Sequence, residues 1–191
     1  MKKHILLLIL LCCTGLGLHA QNLSDDNFIY SAVPKKGVKA ADFNTLTKDE
    51  VTQNITYFDG LGRPVQTVGI HQGANGEDIV TPIEYDPFGR QAKENLPYPV
   101  SRSNNSHVMI DLPTALAAQK IFYNTAKYDN TLNPYSEKEF EASPLNRVLR
   151  QAAPGNDWKL GSGHEIRLDY QANTSADQVK IYSVTTILDS H

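Results

Sequence analysis

Tyr57-Phe58-Asp59-Gly60-Leu61-Gly62-Arg63-Pro64-Val65 and Tyr85-Asp86-Pro87-Phe88-Gly89-Arg90-Gln91-Ala92 are two versions of one phrase. In each, an aromatic residue (Tyr57, Tyr85) and an Asp close an extended run, a short turn follows, and Gly-Arg opens the next run. A third version, Phe140-Glu141-Ala142-Ser143-Pro144-Leu145-Asn146-Arg147-Val148, places Asn146 where the others have Gly62 and Gly89. After Gly, Asn is the residue that best tolerates positive φ, so the exchange keeps the backbone requirement. Recurrence of one supersecondary phrase points to a repeat architecture rather than to a closed catalytic domain.

Each position in the phrase has a physical task. The rings of Tyr57, Tyr85 and Phe140 are large rigid bodies that pack between neighbouring strands, with a tyrosine hydroxyl left near water. Asp59 and Asp86 begin the turns, and Gly62, Gly89 and Asn146 supply the unusual backbone angles. Asp86-Pro87-Phe88-Gly89 matches the preferences of a type I turn, in which Pro presets φ and Asp accepts from the backbone. Arg63, Arg90 and Arg147 start the return strands and are expected to pair with Asp or Glu on an adjacent repeat. These are scaffold positions.

Outward from the phrases, residues 28–33 form a first strand stopped by Pro34, and residues 51–58 alternate in a strand-like way. Residues 65–68, 79–85 and 90–96 continue the extended pattern until Pro97 and Pro99. Residues 165–170 and 179–184 predict a last hairpin, joined by a polar loop. Residues 114–123, Thr-Ala-Leu-Ala-Ala-Gln-Lys-Ile-Phe-Tyr, are good helix formers with Asp111 or Thr114 as cap, and predict one short inserted helix packing against or plugging the sheet edge. Fold class is therefore mainly β, with hairpins in a twisted open sheet. The domain runs over 28–191, with repeats near 57–68, 85–96 and 140–151.

The amino terminus is an address. Lys2 and Lys3, an apolar run over 5–11 and Leu18-His19-Ala20 make a signal peptide at 1–20, cleaved near Ala20, and 21–27 form a flexible leader. Export to the periplasm, cell surface or medium is expected. Leu11 before Cys12 argues against lipid attachment there, and the apolar run is too short to span a membrane. Cleavage removes Cys12 and Cys13, the only cysteines, and with them any disulfide, thiolate nucleophile or cysteine-bound zinc. Without Lys2 and Lys3 the 18 basic residues become 16 against 21 acidic, a net charge of −5, which speaks against nucleic acid as partner.

No catalytic constellation emerges. Gly60-Leu61-Gly62 precedes Arg-Pro rather than a helix, so it is no phosphate loop. His164-Glu165 lacks the second histidine of a zinc-protease motif, and His71, His107, His164 and His191 are scattered, as surface or hydrogen-bonded histidines are. Gly161-Ser162-Gly163 is a loop rather than a nucleophile elbow. Glu137, Glu139 and Glu141 alternate on a solvated strand face without a calcium loop. Trp158 is either a core or edge-covering residue or a platform for a sugar ring. No enzyme activity, cofactor or metal is expected.

The Tyr-Asp…Gly-Arg phrase resembles the YD repeat of bacterial RHS proteins, which also occurs in animal teneurins. From about Asn27 to Gln171 the chain is similar, more narrowly, to the uncharacterised domain that heads secreted RHS-repeat proteins of gliding bacteria. Residues 57–68, 83–97 and 134–151 carry this resemblance, with Pro154-Gly155-Asn156-Asp157-Trp158 and Gly161-Ser162-Gly163-His164. It implies the start of a hollow β-shell that encloses a toxin or other cargo. The expected function is a secreted, non-enzymatic structural module that starts and caps the repeat sheet. Its expected partners are downstream RHS repeats in the same or another chain. An alternative is a free-standing cell-surface or carbohydrate-binding protein that stacks a glycan on Trp158 and the repeat tyrosines.

Overall fold

The computed structural model describes residues 26–102 and 106–185. The predicted signal peptide, residues 21–25 of the leader and His191 lie outside the described residues. Nine strands, β1 (Phe28–Pro34), β2 (Val51–Phe58), β3 (Pro64–Ile70), β4 (Asp78–Pro82), β5 (Lys93–Asn95), β6 (Tyr98–Val100), β7 (Tyr135–Phe140), β8 (Val148–Ala152) and β9 (Ile166–Arg167), make two antiparallel sheets. The first has the order β1-β2-β3-β4-β6, the second β5-β7-β8-β9, and neither closes into a barrel. The hairpins thus feed two open sheets rather than the single sheet that the repeat pattern predicts. The crossing falls inside the second repeat, because β4 and β5 on either side of its turn belong to different sheets.

Alternation builds the core. Ile55 of β2, Val68 of β3, Val80 of β4 and Tyr98 of β6 face one another across the strands in one buried row. Tyr57 and Ile70 complete the buried cluster, against which Phe28, Met109, Ile110 and Phe122 pack. At about 25 cal/mol per Å2 of apolar surface, each such side chain contributes about 1.5–3 kcal/mol. Two inward positions on this face are polar. Gln66 on β3 exchanges two hydrogen bonds with the backbone of Ile110 (N–H to Oε1 3.1 Å, Nε2–H to the carbonyl 2.9 Å). Asp78 on β4 accepts from His107 Nδ1–H at 2.7 Å and from the His71 backbone N–H at 3.0 Å, and Arg102 Nε lies 3.1 Å from its Oδ2. The Tyr57 hydroxyl donates to the His107 carbonyl at 2.5 Å. Together these groups strap residues 106–111 across the core face, leaving His71 half-buried and His107 buried within the network.

The helix, α1 (Leu112–Tyr123), starts two residues earlier than the helix-former count predicts, because Pro113 is tolerated in the first turn. Asp111 is the cap, accepting from the Thr114 N–H at 3.0 Å. Ala118, Phe122 and Tyr123 lay it on the core cluster, so it covers the face of the first sheet rather than its edge. Gln119 is buried and donates from Nε2 to the carbonyls of Leu96 (2.6 Å) and Pro134 (3.2 Å), joining the end of β5 to the start of β7.

The predicted last hairpin is not formed. β9 is only two residues long, and residues 179–185 carry no strand, with Ile181 94% exposed. Thr174 and Asp177 instead close a capping box on a local 3-10 turn, and Gln178 leaves it at φ 50°. The strands around the second turn are also shorter than alternation predicts, 78–82 and 93–95, because residues 83–92 carry the chain from one sheet to the other.

Candidate functional site

The three turns are the same device. In the first, the Asp59 N–H donates to the Arg63 carbonyl (2.9 Å) and the Gly62 N–H to the Asp59 carbonyl (3.0 Å). Asp59 Oδ1 accepts from the N–H groups of Leu61 and Arg63, and Oδ2 from Arg63 Nε at 2.8 Å. The second turn repeats every bond: Asp86 takes the N–H groups of Phe88 and Arg90 and the Nε of Arg90 at 2.7 Å. Gly62 and Gly89 stand at φ 76° and 77°, and Asn146 at 53°, as the exchange of Asn for Gly predicts. The residue equivalent to Tyr85 is Phe58, directly before the acid. Tyr57, which the phrase aligns with Tyr85, points into the core instead, because its neighbour in the alternation faces the other way.

The third turn has two more residues between acid and arginine and divides the labour. Glu141 forms the closing pair with Arg147 (N–H to carbonyl 2.9 Å) and binds its Nε through Oε2 at 2.9 Å. Ser143 takes the inner role, accepting from the Leu145 N–H and, at its carbonyl, from Asn146.

Each arginine therefore pairs with the acid of its own turn, not with that of an adjacent repeat. What it reaches on the next repeat is the aromatic ring. The β3–β4 register, Gln66 opposite Pro82, extended by three residues sets Arg63 opposite Tyr85, and its guanidinium carbon lies 4.4 Å from that ring's centre. The same extension from Lys93 opposite Glu137 sets Arg90 opposite Phe140 at 4.4 Å. From Arg150 opposite Arg167 it sets Arg147 opposite Tyr170 at 4.9 Å. Arg90 also lies 5.0 Å from Phe88 and donates from Nη1 to Asn146 Oδ1 at 2.7 Å, while a Cβ on Gly89 would come within 3.1 Å of Arg63 Nη1. The Tyr85 hydroxyl, expected near water, donates back to the Pro64 carbonyl at 3.0 Å. A ladder of guanidinium on ring links turn to turn, each planar group lying on the next ring while its Nε–H stays with the acid of its own turn.

The carboxylates of the ladder are held ionised. The Arg147 guanidinium first, then the Ser143 hydroxyl, bring Glu141 from the ordinary 4.5 down to about 2, against its partial removal from water. The backbone N–H of Arg63 is the main cause holding Asp59 below its usual range. For Asp86, loss of water is the largest single influence and raises it, but the bonds from Arg90 and Phe88 together outweigh it. A carboxyl depressed in the fold contributes stability that is whole above its unfolded value and is lost as pH falls through its folded value. Unfolding followed by denaturant at stepped pH should accordingly show a loss between about 4.5 and about 2 that Glu141→Gln partly removes, with wild type and variant converging near pH 2. A constant difference across that window would refute the assignment.

The other sequence candidates are not brought together. Glu139 and Glu141 pair with the part-exposed Arg150 and Arg147, and no three metal-ligating side chains cluster among the described residues. Trp158 ends a 3-10 turn half-exposed, its ring 5.1 Å from that of His164, whose Nδ1 is 2.6 Å from the Asp157 carbonyl. It lines a cleft of 280 Å3 with Pro154 and Ile166, away from the ladder. Sequence reasoning missed the buried Asp78–His107 pair and the stacking of arginine on the next ring. The first had a signal, since alternation puts Gln66 and Asp78 inward with Val68 and Val80. The second depends on strand register, which no local pattern gives.

The profile of the family described as "Domain of unknown function (DUF6443)" matches residues 30–172. The chain belongs to this family. The matched span of this DUF6443 chain holds all three turns and every ring of the ladder from Phe58 to Tyr170. No curated protein and no solved structure matches the chain. No helix among the described residues is long and apolar enough to cross a membrane.

Proposed function

We propose that this DUF6443 protein is an exported, non-enzymatic structural module that starts a YD-type repeat sheet, like the head of an RHS-repeat shell protein. The observation that supports this reading is the ladder. Each turn is closed by its own acid–arginine pair, and its arginine lies on the ring of the following unit, so order passes forward from repeat to repeat. Arg147 hands on to Tyr170 by the same register, which puts Tyr170 in the ring position of a fourth unit. A stacked array of this kind is stabilised by nearest-neighbour contacts.

The reading is tested by the size and place of the native product. An antibody raised against residues 21–191, applied to cell fractions and culture medium, should detect an exported band far heavier than the 21.2 kDa of this chain. A single band at or below that mass, or one confined to the cytoplasm, defeats the proposal.

A further inference from the structure

The ladder has a rung without an arginine. The β1–β2 register, Tyr30 opposite Ile55, extended by the same three residues sets Asn27 opposite Phe58, and the Phe58 N–H donates to the Asn27 carbonyl at 2.9 Å. Asn27, read from sequence as part of a flexible leader, thus stands where Arg63, Arg90 and Arg147 stand in the other three strand pairs. Its side chain is too short to cover the ring, and among the described residues no cation lies over Phe58. A cleft of about 590 Å3 opens there, and Phe58, Tyr85, Asp26, Asp59 and Glu84 are among the residues lining it. Asp59 is paired with Arg63, so the Glu84 carboxylate leaves the cleft with a negative balance. We infer that this cleft binds the guanidinium of an arginine side chain from a polypeptide partner, seated on Phe58 as the three arginines of the ladder seat on Tyr85, Phe140 and Tyr170.

The chemistry favours arginine over other cations. The repeated geometry is that of a planar group lying on a ring while a carboxylate takes its Nε–H. An ammonium, which can sit over a ring as Lys93 does over Tyr135, does not present that plane and fork together. The chemistry also favours an arginyl residue within a chain over free arginine, whose own carboxylate would face Asp59 and Glu84. The inference concerns the ring and cleft at Phe58 and stands independently of any longer shell.

The test is a titration of the uniformly 15N-labelled protein, residues 21–191, with N-acetyl-arginine methylamide, its lysine counterpart and free L-arginine. The arginyl probe should move the amide signals of Asn27, Phe58 and Gly60 saturably, at least ten-fold more tightly than either alternative. Asn27→Arg, a surface change that supplies the missing guanidinium from the chain itself, should abolish this response while leaving the dispersed spectrum of the fold intact. Phe58→Leu, which keeps apolar bulk and removes the π face, should weaken it at least ten-fold. The inference is overturned if no saturable shift occurs at these amides, if Asn27→Arg responds like the wild type, or if the lysyl probe binds as tightly. Equal binding of free L-arginine would overturn the polypeptide source and assign the site to the small molecule.

Discussion

Asp78→Ala should lower the stability of the chain by about 3–5 kcal/mol, the cost typical of removing one partner from a buried charged network. Asp78 accepts from His107 and from the His71 N–H and is the ion-pair partner of Arg102. Both His107 and Asp78 are almost wholly shielded from water, so no solvent replaces the lost bonds. The loss would also free the strap at residues 106–111, exposing part of the apolar row that Met109 and Ile110 cover. At a urea dependence of about 2 kcal/mol/M, the unfolding midpoint should fall by about 2 M. A fall below about 0.5 M would show that the strap is held by Gln66 and by apolar contact alone. Asp78→Asn, which keeps the shape and one acceptor oxygen, should fall between wild type and alanine.

The second large effect is expected at Arg90, where the chain passes between sheets. Its guanidinium lies near Phe88 and Phe140 and bonds Asp86 and Asn146, joining its own turn to the third. Each ring contact contributes about 0.5–2 kcal/mol, whereas the partly exposed ion pair adds little. Arg90→Ala should therefore cost about 2 kcal/mol, and the cost should be local. The amides of Leu96 and Lys138, which tie the β5 region to β7 and its approach, should exchange about thirty-fold faster, while those of β2 and β3 keep their protection. Arg90→Lys should behave more like alanine than like wild type, because one ammonium cannot lie over Phe140 while bonding both Asp86 and Asn146. Uniform acceleration across both sheets, or none, would show that the ladder does not join them.

Much of this was legible from residues alone. The turns, their glycines, the Asn146 exchange, the helix and the mainly β class follow from local chemistry, in which a residue's neighbours along the chain decide its conformation. The division into two sheets was not legible, since it depends on which strand β5 pairs with. The partner of each arginine was half legible: an acid was expected, but the acid is four or six residues away in the same turn. The ring across the register had no trace in the turn itself. At residues 179–184 strand propensity gave the wrong answer, since alternation describes what a strand needs and not whether a neighbour receives it.

The third turn shows how such a unit can change length. An Asp serves three intervening residues; with five, a Glu closes the turn and keeps the arginine N–H, while a Ser takes the N–H groups at the tip. The closing N–H to carbonyl distance is 2.9 Å in all three. Inserted residues are therefore absorbed at the tip, with the arginine and its ring undisturbed. Relatives of this chain are free to vary in turn length wherever acid length and a small hydroxyl residue vary with it, and insertions unaccompanied by that pairing should be rare.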